Sequence, residues 1–76
     1  MTSLDNLSIG QSCKVKKIHG SSLIKRRIMD MGITKNAKIS VIKFAPMGDP
    51  IELRVRGYDL SIRREDAKNI EVEICD

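Results

Sequence analysis

Apolar and polar residues alternate along most of this chain, and this pattern predicts β-strands. Successive side chains of a strand point to opposite faces of a sheet, so alternation places apolar side chains on one face and charged ones on the other. The predicted strands are 12–19, 36–46, 50–57, 59–64 and 69–75. The side chains expected to face the core are Cys13, Val15, Ile18, Ala37, Ile39, Val41, Ile42, Phe44, Ile51, Leu53, Val55, Leu60, Ile62, Ile70, Val72 and Ile74.

Two of these strands change their alternation partway along. The apolar positions pass from odd to even numbers near Lys17 in the first strand, and between Val41 and Ile42 in the second. A β-bulge, in which one strand carries an extra residue, produces such a change and bends the strand. We therefore expect a curved sheet. The third and fourth strands are expected to be joined at residues 57–59.

One segment, 21–33, has the spacing of an amphipathic helix, because Ile24, Ile28 and Met31 recur at i, i+4 and i+7. It begins with two serines that can cap a helix and ends near a glycine that can occupy the left-handed position after the last turn. A second helix, of a single turn, is plausible over 64–69.

The chain has 76 residues, which is enough for one small domain over 1–76. Only 3% of the residues are aromatic, so the core must be aliphatic. Together with the strand and helix pattern, this predicts a mainly β fold with one inserted helix, a small half-open β-barrel of about five strands.

The net charge of +4, from 14 basic and 10 acidic residues, suits an anionic partner such as nucleic acid, phospholipid headgroups or an acidic protein face. A solvated surface that keeps a small protein soluble explains it equally well. The stretch MTSLDNLSIG lacks the basic start and apolar run of a secretory signal, and no stretch is apolar enough to span a bilayer. Two cysteines without a CxxC spacing indicate a reduced, cytoplasmic protein.

The residue types needed for metal or covalent chemistry are sparse. In the strand alternation Cys13 occupies a core-facing position and Cys75 a surface-facing one, while His19 is the only histidine. A structural zinc site needs four closely spaced ligands, and nucleophilic catalysis needs a base beside the nucleophile. We therefore expect no metal, no cofactor and no catalytic residue, so the protein is not expected to be an enzyme.

The loop APMGDP at 45–50 does not resemble a phosphate-binding loop. A Walker loop needs two glycines separated by four residues, the second followed by Lys-Ser or Lys-Thr, so that several backbone N–H groups converge on phosphate. Pro46 and Pro50 have no N–H to donate. The loop is instead expected to be a hairpin connection in which Gly48 takes a positive φ.

Nucleic acid is not the expected partner either. Small barrels that bind single strands normally stack bases on aromatic side chains, and this chain offers no such aromatic pair. Glu52, Glu71 and Glu73 face outward and would interrupt a track of phosphate contacts. A protein-interaction module remains as the favoured class.

A set of residues recurs in a characteristic order over about residues 4–74. Its members are Leu4, Leu7, Gly10, Arg27, Ile28, Met31, Gly32, Pro46, Gly48, Pro50, Gly57, Leu60, Ile62, Arg63, Ala67 and Ile70. This ordered set resembles the ferrous iron transport protein A (FeoA) family. One departure is Lys35-Asn36, where the family often has Pro-Gly; asparagine also accepts a left-handed turn.

This resemblance implies an SH3-like barrel and a small cytoplasmic accessory of ferrous iron uptake. Its implied partner is a large membrane permease, FeoB, that carries a cytoplasmic G-protein domain. The protein would be peripheral to the membrane at most, and a monomer or a weak dimer. Two alternatives remain, a nucleic-acid-binding small barrel and a standalone relative of the SH3-like domain of iron- or manganese-dependent repressors.

Exposed residues in three regions are the candidates for partner contact. They lie on the polar face of the helix, at the tip of the loop 45–50, and at the outward arginine positions of the third and fourth strands. These arginines are expected to form one basic face. The predicted partner-binding residues are Arg26, Met29, Met47, Gly48, Asp49, Arg54, Arg56 and Arg63.

Overall fold

A computed structural model describes residues 2–75 of the chain and shows a single antiparallel sheet with two helices. The sheet order is β1-β6-β2-β3-β4-β5. The strands are β1 Thr2–Ser3, β2 Ser12–Ile18, β3 Lys38–Phe44, β4 Ile51–Val55, β5 Tyr58–Ile62 and β6 Ile70–Ile74. The helices are α1 Ser22–Asp30 and α2 Arg64–Ala67, and a 3-10 turn covers Leu4–Asn6.

All five predicted strands are present, with ends that differ from the predicted bounds by at most two residues. The additional strand is β1, which pairs with β6 through Thr2 opposite Val72 and Ser3 opposite Glu71. A strand of two residues has no period to detect, so the sequence pattern gave no sign of it. Its pairing adds an N-terminal edge to the sheet.

The two predicted bulges are confirmed by the pairing registers. The register of β2 against β6 shifts between Val15 and Lys17, and that of β3 against β4 shifts between Val41 and Lys43. An extra residue in one strand increases the local twist and bend. The sheet therefore curves around its apolar face, as a small barrel requires.

The connection between β4 and β5 was predicted at residues 57–59, and this prediction is wrong. Val55 pairs with Tyr58, so the turn consists of Arg56 and Gly57 alone. Both have positive φ, 52° and 88°, which is the requirement of a two-residue type I′ turn whose twist matches that of the strands. Tyr58 and Asp59 therefore belong to β5, and Arg56 is a turn residue rather than a strand residue.

Helix α1 begins where the sequence indicated, with the Ser21 hydroxyl accepting a hydrogen bond from the Ile24 N–H at 3.3 Å. It ends at Asp30, and Gly32 follows with a φ of 91°. Ile28 is its fully buried residue, so this short helix attaches to the core by a narrow apolar face. No helix within residues 2–75 is long and apolar enough to cross a bilayer.

The core is aliphatic, as expected. Ile74 is 43% exposed and Leu60 is half-buried, although the alternation placed both inward. Leu60 lies in β5, an edge strand with a neighbour on one side, and Ile74 is the last residue of β6. The largest fully buried side chains are Leu4, Val15, Ile28, Ile33, Ile39, Val41, Ile51, Leu53, Val55, Ile62, Ile70 and Val72.

Candidate protein-interaction surface

The loop between β3 and β4 is tightly closed and presents one apolar side chain to solvent. Ala45 N–H donates to the Pro50 carbonyl at 3.0 Å, and Gly48 N–H donates to the Ala45 carbonyl at 2.7 Å. Gly48 has a φ of 83°, as expected from the sequence. Met47 lies at the tip and is 92% exposed, so nothing else in this domain covers it.

Arg64 fixes this loop to the rest of the domain. Its side chain donates to the Gly48 carbonyl at 3.1 Å and to the Asp5 carbonyl at 3.2 Å, and its guanidinium lies 5.5 Å from the centre of the Phe44 ring. Asp49 accepts a hydrogen bond from the Arg64 backbone N–H at 3.0 Å and so satisfies a free donor at the start of α2. Gly48 and Asp49 therefore hold the loop in place as well as lying on its surface.

Arg63 lies beside the same loop. Together with Asp49 and Pro50 it lines a shallow pocket of about 300 Å³. Of the predicted contact residues, the structure thus brings Met47, Gly48, Asp49 and Arg63 to one place. We call these four residues and Pro50 the loop surface. It contains one exposed apolar tip, one acid and one base.

Arg54 lies on the same side of the β4–β5 hairpin as Arg63, but that side also carries acidic residues. The Arg54 side chain donates to Asp59 at 2.9 Å, and this hydrogen bond together with the negative charge of Asp59 raises the pKa of Arg54 above its ordinary value. Glu52 forms an ion pair with Lys43 at 3.5 Å. The face is therefore mixed in charge, whereas the three arginines were expected from the sequence to form one basic face.

Arg56 has a structural role in the turn between β4 and β5. Its guanidinium donates to the Gly32 carbonyl at 3.3 Å and to the Thr34 hydroxyl at 2.8 Å. These two acceptors lie directly after α1, so Arg56 connects the hairpin to the end of the helix. Its side chain is engaged within the domain rather than free for a partner.

Arg26 and Met29 lie on the exposed side of α1, as predicted, and Met29 is 50% exposed. Met29 borders a groove between α1 and β2 that shares no residue with the loop surface. The neighbouring Arg27 is different, since it donates to Asp66 at 2.7 Å, and Asp66 is only 4% exposed. The predicted residues thus divide between the helix, the loop surface and the hairpin.

The sequence reasoning missed the residues that position these surfaces, above all Arg64, Arg27 and Asp66. Their contacts join segments that are 16 to 59 positions apart, and no local spacing signals such pairs. Arg64 also directly follows Arg63, and the sequence does not indicate which of these two arginines makes internal contacts. The closest signal was Asp66 itself, an acid within the predicted second helix.

The residues considered for metal binding form no cluster of three or more ligands among residues 2–75. Cys13 is buried and Cys75 is exposed. His19 is exposed and its Nε2 lies 2.9 Å from a carboxylate oxygen of Glu71 on the neighbouring strand. In the part of the chain that the structure describes, no three potential ligands among His, Cys, Asp and Glu come together.

Comparison with known proteins identifies the relatives of this chain. The sequence matches the FeoA domain family over residues 2–74. A protein of Porphyromonas gingivalis, an Fe(2+) transport protein A/Fe(2+) transporter FeoB fusion, is 37% identical over 71 residues. Those residues are 93% of this chain but 8% of the fusion protein, so this chain spans a small part of that relative.

Solved structures agree with the fold. A FeoA-like protein of Clostridium acetobutylicum is 46% identical with a TM-score of 0.90, over 96% of this chain and 85% of that one. FeoA of Stenotrophomonas maltophilia, described as an SH3 domain protein, superposes with a TM-score of 0.80 at 23% identity, over 96% and 91% of the two chains. The predicted SH3-like fold is confirmed. Because the family match extends over nearly the whole sequence and the fold agrees with it, this protein belongs to the FeoA family.

Proposed function

We propose that this protein is a small, non-enzymatic cytoplasmic accessory of ferrous iron uptake that binds the cytoplasmic G-protein region of an FeoB permease. The observation that carries the proposal is the P. gingivalis fusion protein, in which a segment 37% identical to this chain shares one polypeptide with an FeoB transporter. Covalent linkage keeps two partners at a high effective concentration, so a domain fused to a permease is placed to act on it.

The surface of the domain supports a binding role. Several apolar side chains project from it, among them Met47, Leu23 and Met29, which are 92%, 74% and 50% exposed. Exposed methionines adapt to the shape of a partner because their side chains are unbranched and flexible. Two of these three residues were predicted as contact residues from the sequence alone.

We propose that the loop surface and the exposed side of α1 form the contact, with six of the eight predicted residues as candidates, namely Arg26, Met29, Met47, Gly48, Asp49 and Arg63. Met47 and Arg63 provide the sharpest test. Neither side chain has a hydrogen bond or ion pair within residues 2–75, so their replacement removes partner contacts without removing internal ones. Gly48 and Asp49 are poorer test positions because they also hold Arg64.

Binding to the purified cytoplasmic region of the permease from the same organism tests the proposal. We expect M47A/R63A to weaken the affinity about tenfold, which corresponds to a combined loss of about 1.4 kcal/mol from the two interface residues. I9A/K68A is the matched control, since it removes one exposed apolar and one exposed basic side chain from other regions. This control should bind as tightly as the wild type.

Absence of binding by the wild-type protein, combined with unchanged ferrous iron uptake in a deletion strain, would contradict the proposed function. Equal loss of binding in the two double variants would be compatible with the permease region as the partner. It would exclude the loop surface as the specific contact. A titration of short single-stranded DNA at low salt distinguishes the nucleic-acid alternative, which requires salt-sensitive binding.

A further inference from the structure

A groove of about 490 Å³ lies between β2 and α1. Its apolar part is formed by Ile18, which is half-buried, and Met29, which is half-exposed. The remaining residues that line it are all lysines, contributed by the strand, the helix and the loop after the helix. The lining residues are Lys16, Lys17, Ile18, Lys25, Met29 and Lys35, and we call this site the lysine groove.

The positive charge of the lysine groove is largely unneutralised. Lys16 pairs with Glu73 at 3.4 Å. Lys17, Lys25 and Lys35 are exposed and form no ion pair with any residue in 2–75. No acidic residue lines the groove. It is therefore a concentrated source of positive potential around an apolar floor.

Three cations outside the groove are ion-paired, Arg54 with Asp59, Lys43 with Glu52, and Arg27 with Asp66. The pocket of the loop surface contains both an acid and a base. The lysine groove differs from that pocket, because it combines four lysines with accessible apolar surface and, among residues 2–75, no acidic residue lines it. Such a combination recognises a ligand that is both acidic and apolar.

We propose that the lysine groove binds an acidic segment of a partner protein, with one apolar side chain of that segment packed between Ile18 and Met29. The proposal rests on the proposed function, because the segment is expected in the cytoplasmic region of the permease. The three ammonium groups without an ion pair among residues 2–75, those of Lys17, Lys25 and Lys35, attract the carboxylates, and the apolar floor selects the side chain between them. Met29 can change its conformation to fit this side chain.

A protein segment fits these features better than an anionic membrane surface does. The apolar floor lies between a helix and a strand, and its Ile18 and Met29 side chains carry no charge or hydrogen-bond donor for a layer of headgroups. A peptide chain can place one side chain into the groove while its flanking carboxylates contact the rim. Lysine contacts alone would suit either a peptide or a headgroup layer. The apolar floor favours the peptide.

Two double charge reversals test the groove. K25E/K35E changes two exposed lysines of the groove that lie outside the strands, so neither change affects strand pairing. K38E/K68E changes two exposed lysines outside the groove and alters the net charge of the protein by the same amount. M29S removes the apolar contact and keeps the charge. Thermal unfolding establishes that each variant is folded.

The first probe is a synthetic octapeptide of glutamates and aspartates with one central leucine, titrated into the isotope-labelled protein by NMR. We expect shifts of the Lys17, Ile18, Met29 and Lys35 amides, an affinity about tenfold weaker for K25E/K35E, and an effect of less than about twofold for K38E/K68E. M29S, and a peptide with alanine in place of leucine, should each bind several-fold more weakly.

The absence of shifts at the groove, or equal weakening by the two charge reversals, would overturn the proposal. Vesicles containing phosphatidylglycerol are the second probe. Wild-type binding to vesicles that K25E/K35E abolishes, without binding to the peptide, would overturn it in favour of a lipid surface.

The permease cytoplasmic region is the third probe, and it separates this inference from the proposed function. Peptide binding in the groove without binding to the permease region would contradict the proposed function. It would still support the lysine groove as a binding site for acidic peptide segments. Binding of the permease region that K25E/K35E leaves unchanged would retain the proposed function and overturn the groove as its docking site.

Discussion

Arg27 and Asp66 are 39 positions apart in the sequence, yet an Arg27 side-chain nitrogen lies 2.7 Å from an Asp66 carboxylate oxygen. The two residues differ in environment, since the side chain alone is 6% exposed for Asp66 and 53% exposed for Arg27. A carboxylate held away from water needs a donor or a cation beside it, because desolvation is otherwise uncompensated. Arg27 supplies both, and the contact ties α1 to α2.

R27A should therefore destabilise the domain more than its exposed position suggests. Removal of the partner leaves the Asp66 carboxylate nearly buried and unpaired, and such a group costs about 1–3 kcal/mol. R26A is the matched control, since Arg26 is exposed and forms no ion pair within residues 2–75. It should change the stability by less than about 0.5 kcal/mol.

Urea unfolding of the wild type, R27A and R26A measures both effects. A midpoint for R27A equal to that of R26A would show that Asp66 does not depend on this arginine.

At the level of elements, the end of α1 is held by the β4–β5 hairpin rather than by a large apolar face. Arg56 donates to the Gly32 carbonyl and the Thr34 hydroxyl, and the Tyr58 hydroxyl donates to the Met31 carbonyl at 3.4 Å. The type I′ turn makes this possible, because it places Arg56 at the tip of the hairpin. Gly32 lies at the contact, between helix and hairpin.

Two glycine substitutions separate backbone strain from steric contact at this junction. Gly57 and Gly32 both have a φ near 90°, so alanine costs about 1 kcal/mol or more at either position. A Cβ on Gly57 meets nothing within 4 Å, whereas a Cβ on Gly32 would lie 2.6 Å from the Tyr58 hydroxyl oxygen. G32A should therefore be more destabilising than G57A, because it also displaces Tyr58.

The Y58A background supplies the control for this comparison. It removes the obstructing hydroxyl, so the difference between G32A and G57A in the free energy of unfolding should shrink there. An unchanged difference would exclude Tyr58 as its cause.

For the whole molecule, the N-terminal segment is part of the core and not an appendage. Leu4 is fully buried, Leu7 is 3% exposed, and the Asp5 carbonyl accepts a hydrogen bond from Arg64. A domain of this size buries only about 60% of its unfolded surface, so each large core side chain is a substantial part of its stability. The first strand and the 3-10 turn thus complete the barrel.

L4A should lower the free energy of unfolding by about 2–5 kcal/mol, as expected for truncation of a fully buried leucine. L23A removes the same atoms from a side chain that is 74% exposed, and its effect should stay within about 0.5 kcal/mol. Thermal unfolding followed by circular dichroism measures both. Equal melting temperatures for the two variants would show that the N-terminal segment is dispensable.

The parts of this fold that could be read from the sequence are those governed by local periodicity. Strand β4 is the clearest case, because Ile51, Leu53 and Val55 are all buried, as the alternation predicted. The bulges in β2 and β3 were also recognisable, since an inserted residue shifts the apolar positions along the chain itself. These features depend on neighbours within a few residues.

The features that were not predicted depend on residues far apart in the chain. The lysine groove takes Lys17 from a strand, Lys25 from the helix and Lys35 from a loop, so no spacing in the sequence reveals that they share one site. The turn at Arg56 was missed for a different reason. Arginine seldom adopts a positive φ, and the alternation of β4 continues through it without interruption.

The pairing of β1 with β6 has a consequence for the geometry of the two chain ends. Thr2 lies opposite Val72, and the strands are antiparallel, so the backbone enters β1 and leaves β6 at the same end of the sheet. Ends that lie this close can be joined by a short linker, and the barrel can then be opened elsewhere as a circular permutant. For the same reason, a dye, an affinity tag or a solid support attached at either end would emerge from the same corner of the molecule.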